Sequence, residues 1–295
     1  MSSVVATPDE TRAAAGRPPR PPRRGRWLLA GVVLVGIVWS FAGLDISLDR
    51  LVSAPSDSWA IARQMFPPDL SGAYLDRVVP KVFESVYIAW IGTLIAAVLS
   101  LPLAFVAAEN LTPRWLRLPV RALFNAIRAV PELIVAVILL AVTGLGPWAG
   151  ALAIGIHSVG TLGKLSAEAI EDVDPGPLEA IAAAGGNRLD GMRWAVLPQA
   201  LPVVVALWLF RFEINVRASA VLGVIGAGGI GAELVSQLNF RQFPQVGTVL
   251  LVTVAVVVTI DTISGAVRRR IIAGGGGGRS RGAELIEDLS GVALS

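Results

Sequence analysis

The chain has 295 residues, 54% of them hydrophobic and only 16% charged, with a net charge of +3 and a mean hydropathy of +0.67. A soluble domain needs about a quarter of its residues charged to cover its surface, so this composition excludes a soluble globular protein and points to a surface facing lipid. The absence of cysteine and the presence of one histidine, His157, exclude disulfide frameworks, thiol catalysis and His- or Cys-based metal clusters.

Residues 1–26 gather six arginines among Ala and Pro and read as a disordered Arg/Pro-rich tail, because they cannot bury enough surface to order themselves. The uncharged run Trp27–Leu44 is long enough to cross a bilayer core and reads as a retained first anchor, with no small-residue cleavage site after it. A mixed polar external segment, 45–81, follows and is broken by Pro67 and Pro68. Apolar stretches then run over Val82–Ala108, Ala122–Val142, Trp148–Gly163, Leu197–Leu222 and Val246–Val267. The expected fold is all-α and integral to the membrane, with about six transmembrane helices, a transmembrane core at 82–270 and a flexible tail at 271–295. The third and fifth spans carry internal charges. The fifth is expected to break within Gly223–Gly231, whose glycines are too permissive for a plain helix.

Lys and Arg counts set the orientation. With the N-terminus inside, 17 of the 25 basic residues fall on the cytoplasmic side, five outside and three, Arg128, Arg211 and Arg217, within spans. Both termini are therefore expected in the cytoplasm, together with the polar interruption 164–198.

Within that interruption, residues 174–199 read DPGPLEAIAAAGGNRLDGMRWAVLPQ. Asp174-Pro175 resets the backbone, Leu178–Ala184 suits a short helix, and Gly185-Gly186 stops it in the manner of a glycine C-cap. The product is a short helix, a sharp turn and a second polar piece leading into the next span. Its spacing of Glu179-Ala180, Gly185 and Leu197-Pro198 resembles the loop of permease subunits of bacterial ATP-driven importers. Ile181 and Ala195 stand where the family pattern has Ala and Ile. The resemblance implies a coupling helix within 172–198 that docks on an ATPase subunit.

Further stretches resemble the phosphonate-importer permeases over about residues 80–270. They are Arg128-Ala-Val-Pro-Glu132, Ala153-Ile-Gly-Ile-His157, Gly163-Lys164, Glu168-Ala-Ile-Glu171, Asp174-Pro-Gly-Pro177, Phe212-Glu-Ile-Asn-Val-Arg217 and Val221–Gly231. The likeness implies a type I ABC importer permease in the cytoplasmic membrane of a bacterium, non-catalytic in itself. Its implied partners are a second copy of the chain, two ATPase subunits that bind the ATP and Mg, an extracytoplasmic binding protein and membrane lipid, with no cofactor in this chain and no nucleic acid. The cargo would be a phosphonate or a related phosphorus oxyanion, the alternative within the class being a different small solute.

Charges within spans each cost at least about 2.5–3.5 kcal/mol on insertion scales, so they need a reason. Glu213 and Arg217 lie four apart and can pair on one face, as can Arg211 and Asn215 on another and Arg128 and Glu132 across Pro131. Pro131 leaves the carbonyl of Ile127 without its helical donor. These groups read either as helix-locking bridges or as a polar pathway of Glu132, His157, Arg211, Glu213, Asn215 and Arg217 that meets an anion. Lys164 and Glu168 read as an interfacial pair. Gly226, Gly228, Gly229 and Gly231 match a dinucleotide fingerprint only in spacing, with no strand before them; they read as flexible backbone lining a cavity or closing a gate. There is no Walker A sequence, so the energy source would be another subunit. An ion-coupled secondary transporter is the competing reading from another class; a membrane-embedded enzyme lacks a nucleophile–base or metal set.

Overall fold

A computed structural model describes residues 23–43 and 48–274 of the chain. Residues 1–22 of the Arg/Pro-rich tail expected at 1–26 and residues 275–295 of the flexible tail expected at 271–295 lie outside the described residues, whereas 23–26 and 271–274 are helical, in the first and last helices. All regular structure among the described residues is helical: α1 Arg23–Ala42, α2 Leu48–Gln64, α3 Gly72–Ala107, α4 Arg114–Ala129, α5 Glu132–Thr143, α6 Pro147–Glu171, α7 Pro175–Ala183, α8 Arg188–Gly191, α9 Leu197–Leu222, α10 Gly229–Asn239 and α11 Phe243–Gly274. A five-residue π-helical stretch, Met192–Val196, precedes α9, and a kinked stretch, Gly223–Ala227, follows it with Gly226 outside helical conformation.

The chain divides into two units, 1–61 and 62–295. In the first, the apolar part of α1 is Trp27–Phe41, shorter than the 27–44 run expected to span. In the second, α3, the stretch Arg188–Ala227 and the stretch Phe243–Ile272 are long and apolar enough to cross a membrane, and the α4–α5 pair makes a fourth if it counts as one broken span. The six expected spans thus become three or four by length and composition among the described residues. The segment expected as polar to residue 81 already turns helical at Leu48, and α3 begins ten residues before the expected start of its span.

Helix α6 explains part of the shortfall. It holds Gly, Ala and Ser at most of its buried positions and packs against α3, α4, α5 and α9, so protein rather than lipid surrounds much of it. Apolar side chains gain little by leaving lipid tails, and close van der Waals contact has to hold such helices together. Small residues permit that approach. A Cβ at Gly92 of α3 would lie 2.6 Å from Ile154 Cγ2 of α6, and one at Gly160 would lie 2.8 Å from the Phe124 carbonyl of α4. Phe124, almost fully buried, is clasped between Gly163 and the ends of α3 and α6.

The expected span Ala122–Val142 is not one helix. It is α4 and α5, meeting at 85°. Proline chemistry accounts for the corner: the ring of Pro131 drives Val130 into the extended region (φ −88°, ψ 122°), and Pro131 is itself extended (φ −58°, ψ 135°). The Ile127 carbonyl, deprived of its usual donor, is reached by the Val130 N–H at 3.4 Å instead.

Candidate functional site

Two places in the second unit bring together the residues that the sequence singles out. One is the corner between α4 and α5 with the helices it faces; the other is the segment from Asp174 to Gln199.

At the corner, Glu132 opens α5 and meets α6 and α9. Arg211, 8% exposed, extends from α9 between His157 and Ser158 of α6. Its Nε donates to Ser158 Oγ at 2.9 Å and its Nη2 donates to His157 Nδ1 at 3.3 Å. Arginine only donates, so His157 accepts at Nδ1 and, as a neutral ring, carries its proton on Nε2. The 3.5 Å approach of the same Nδ1 to Glu132 Oε2 is therefore not a charged hydrogen bond. Glu132 Oε2 lies 3.8 Å from Arg211 Nη2, and its Oε1 has no hydrogen-bond partner among the described residues.

The polar chain continues in one direction. Ser158 Oγ donates to Asn215 Oδ1 (3.2 Å), Asn215 Nδ2 donates to Thr93 Oγ1 (2.9 Å), and Thr93 Oγ1 donates to the Ala89 carbonyl (2.7 Å). Each link from Arg211 Nε to that carbonyl joins a donor to an acceptor, across α9, α6 and α3, and Asn215 and Ser158 are fully buried. A buried polar network of this kind is tolerated because its members are satisfied, and it fixes the rotamer of the arginine it supports.

Glu213 and Arg217 do not join this network, nor do they pair with each other as expected. Positions 211 and 213 are two residues apart, about 200° around a helix, so they face opposite sides. Glu213 faces α11 and stands 3.4 Å from Arg268 Nη1, both side chains about nine-tenths buried, with Arg268 also 5.4 Å from the Phe210 ring. Arg217 pairs with Asp261 of α11, and its side chain is 43% exposed. Asp261 is an acid inside the last apolar stretch, a charged position that the reading of the third and fifth spans does not include. Arg268, counted as a basic residue beyond the span, is instead buried in the bundle. Its signal was present in the sequence: it lies seven residues after Asp261, two helical turns on the same face. Arg211 and Asn215 share a face as expected but are linked through Ser158 rather than directly. Arg128 and Glu132, separated by the corner, form no ion pair among those described.

The glycine stretch lies at the junction of α9 and α10. Gly226, Gly228 and Gly229 have φ of 107°, 82° and 67°, a region side-chain-bearing residues rarely enter. The junction is closely packed: a Cβ at Gly231 would collide with the Ala220 carbonyl, and the Gly146 N–H, from the turn between α5 and α6, donates to the Gly226 carbonyl at 3.1 Å.

The second place is the segment from Asp174. Asp174 caps α7, accepting from the Gly176 N–H at 3.0 Å, and Pro175 takes the first helical position. At the other end the Gly186 N–H donates to the Ile181 carbonyl (2.9 Å) and the Gly185 N–H to Ala182 (3.1 Å), with Gly185 at φ 82°. That is a Schellman cap, and it explains why this position takes glycine. Glu179, Ala180 and Gly185 are exposed. Asn187 and Asp190 then form a capping box that opens α8. Before α9 the helix widens to π register, with the Leu197 N–H bonding to the Met192 carbonyl, which accommodates Pro198 at the start of α9. Gln199, not singled out in the sequence, ties the two ends together by accepting from the Asp174 N–H (3.1 Å) and donating to the Ala195 carbonyl (2.9 Å). Beside this segment, Glu171 accepts from Arg121 and from the Glu109 N–H, and Asn110 Nδ2 donates to the Ile170 carbonyl at 2.9 Å, stapling the ends of α3, α4 and α6. The Arg117 guanidinium beside Glu109 holds that carboxyl below the usual range. Lys164 and Glu168 pair at 3.7 Å.

Residues 100–273 match the family described as the binding-protein-dependent transport system inner membrane component. The chain is 43% identical over 243 residues to the phosphite transport system permease protein PtxC of Stutzerimonas stutzeri, covering 82% of this chain and 86% of that one. It is 38% identical over 250 residues to the phosphate-import permease protein PhnE of Mycolicibacterium smegmatis, covering 84% of this chain but 47% of that longer one. Among solved structures, an inward-facing form of the MetNI methionine ABC transporter aligns with a TM-score of 0.61 at 23% identity, over 68% of this chain and 99% of that one.

Proposed function

We propose that this chain, which belongs to the family of binding-protein-dependent transport system inner membrane components, carries a phosphonate, phosphite, phosphate or related phosphorus oxyanion across the cytoplasmic membrane of a bacterium. It is the permease subunit of an ABC importer, with the helical fold of that class. The observation that carries the cargo assignment is Arg211: a guanidinium buried on the polar face of α9, rigidly aimed by Ser158 and fronted by a single carboxylate. A permanent positive charge at such depth is costly unless it has a task, and meeting an anion is one. The names of the relatives point to the same chemistry, since they concern phosphite and phosphate.

In this reading two copies of the chain enclose the pathway, and His157, Glu132 and Asn215 line it with Arg211. Glu213 and Arg217 hold α11 to α9. The exposed face of α7 around Glu179, Ala180 and Gly185, braced by Leu197 and Pro198, lies in the cytoplasm with both termini and docks on an ATPase subunit. Two such subunits bind the ATP and Mg and do the hydrolysis, and an external binding protein delivers the cargo. The junction at Gly226, Gly228, Gly229 and Gly231 is the hinge of the outer gate, coupled to the α5–α6 turn by the bond to Gly146. The chain itself catalyses no reaction.

Uptake into proteoliposomes containing this chain and its ATPase, supplied with the loaded binding protein, tests the reading. Accumulation that requires ATP and survives collapse of the proton gradient supports it. Accumulation that persists without the ATPase and stops with the gradient makes the chain an ion-coupled transporter instead.

A further inference from the structure

Arg211 is neutralised but not saturated. Its Nε and one Nη2 hydrogen are used, on Ser158 and His157, while Nη1 makes no hydrogen bond among the described residues. Glu132 stands at 3.8 Å, an ion-pair distance at which no hydrogen bond forms, and its second oxygen is unpartnered. A structural salt bridge between an arginine and a carboxylate ordinarily closes to two parallel bonds of about 2.8 Å. This one has not, although both groups are mostly buried and belong to different helices.

Two features make the carboxylate easy to release. It occupies the first turn of α5, where free N–H groups and the helix dipole stabilise a negative charge independently of Arg211. It also follows the Pro131 corner, so rotation of α5 against α4 moves Glu132 without disturbing the Ser158–Asn215–Thr93 chain that holds the arginine. The region holds one guanidinium, one carboxylate and a neutral imidazole, and it becomes positive when Glu132 leaves.

On the transport reading above, we propose that Glu132 is a resident stand-in for the cargo: it occupies Arg211 between cycles, and the arriving tetrahedral oxyanion displaces it by taking the free Nη1 and Nη2 hydrogens in bidentate fashion. No covalent bond changes. Glu132 remains ionised at the α5 N-terminus and returns to Arg211 when the cargo leaves, so the cargo never departs from a bare buried cation. The exchange keeps the site weak, because an anion that bound an empty guanidinium would be slow to leave.

The test is equilibrium binding of labelled inorganic phosphate, phosphite and methylphosphonate to the chain assembled with its ATPase in nanodiscs, without the binding protein. If Glu132 leaves Arg211 free about a tenth of the time, Glu132→Gln tightens binding about tenfold, and Glu132→Gln combined with Arg211→Gln abolishes the gain. Glu132→Asp, a shorter carboxylate, gives an intermediate affinity and covers the case in which Glu132→Gln fails to assemble. Unchanged or weaker binding by assembled Glu132→Gln, or a gain that persists in the double variant, overturns the exchange. Wild-type uptake of the same three anions separates the two levels. If uptake is present while Glu132→Gln binding is unchanged, only the exchange is contradicted; if wild-type uptake is absent, the transport reading fails and the exchange with it.

Discussion

The guanidinium of Arg211 and the carboxylate of Glu132 stand 3.8 Å apart across the interface of α9 with the start of α5. The relationship exists only because Pro131 turns the chain by 85° just before Glu132. In a continuous helix Glu132 would sit one turn beyond Arg128 on the same face. The corner presents it to a different helix, and so a sequence-local pair becomes a long-range one.

Proline is thus the residue on which the site geometry depends. Pro131→Ala restores the missing N–H and relieves Val130 of its extended conformation, so α4 and α5 straighten towards one helix. Spin labels at Leu123 and Ile138, introduced as cysteines into a chain that has none, are expected to move apart in the variant. An unchanged distance distribution would mean that packing on α6, not proline, makes the bend.

The polar chain behind Arg211 is expected to behave as one unit. Asn215→Leu leaves the Ser158 hydroxyl without its acceptor and the Thr93 hydroxyl without its donor, and costs about 1–3 kcal/mol, read as a lower Tm in micelles. Thr93→Val added to it costs little more, because the Asn215 amide that bonded to Thr93 is already gone. Fully additive losses would show that the two residues act separately.

The two ion pairs between α9 and α11 are expected to differ. Arg268→Met leaves Glu213 buried without a partner and costs about 3–5 kcal/mol, which Glu213→Gln in the same chain largely restores. Arg217→Met removes the partner of Asp261 at a half-exposed position and costs at most about 1 kcal/mol. Thermal unfolding of both single variants decides it, and equal losses would contradict the assignment.

At the end of α7, Gly185→Ala places a Cβ in the left-handed region and costs about 1–2 kcal/mol, whereas Gly185→Asn is tolerated better. Substrate-stimulated ATP hydrolysis of the assembled transporter is expected to fall in the order Gly, Asn, Ala at this position. Glu179→Lys, which reverses an exposed charge on the same helix, is expected to abolish it while the chain still inserts. If hydrolysis is indifferent to all three changes, this segment does not couple to the ATPase.

Much of this was legible in the sequence where a local rule acts alone. Asp174-Pro175 at one end of α7 and Gly185-Gly186 at the other gave its limits to within a few residues, since caps and breakers work over one turn. The break after Leu222 was equally plain from its glycines. Partner choice between helices was not legible, because four-residue spacing says which side chains share a face and nothing about what that face meets. Glu213 and Arg217 satisfied the spacing rule and each found a partner on α11. Helix α6 was underestimated as a buried element for a related reason: its Gly, Ala and Ser lower its hydropathy and, by allowing close packing, place it among other helices. Ser158, the support of Arg211, carried no signal beyond a position next to the only histidine.

On the transport reading, Arg211 is the cation that meets a phosphorus oxyanion in transit. ATP-driven uptake of phosphite, phosphate and methylphosphonate by proteoliposomes, comparing the wild-type chain with Arg211→Gln in the same ATPase complex and with the same loaded binding protein, tests it most directly. Uptake of at least one of these anions by the wild type and none by the variant is expected, with the complex assembled and the binding protein still docking. Uptake by Arg211→Gln at the wild-type rate would contradict it.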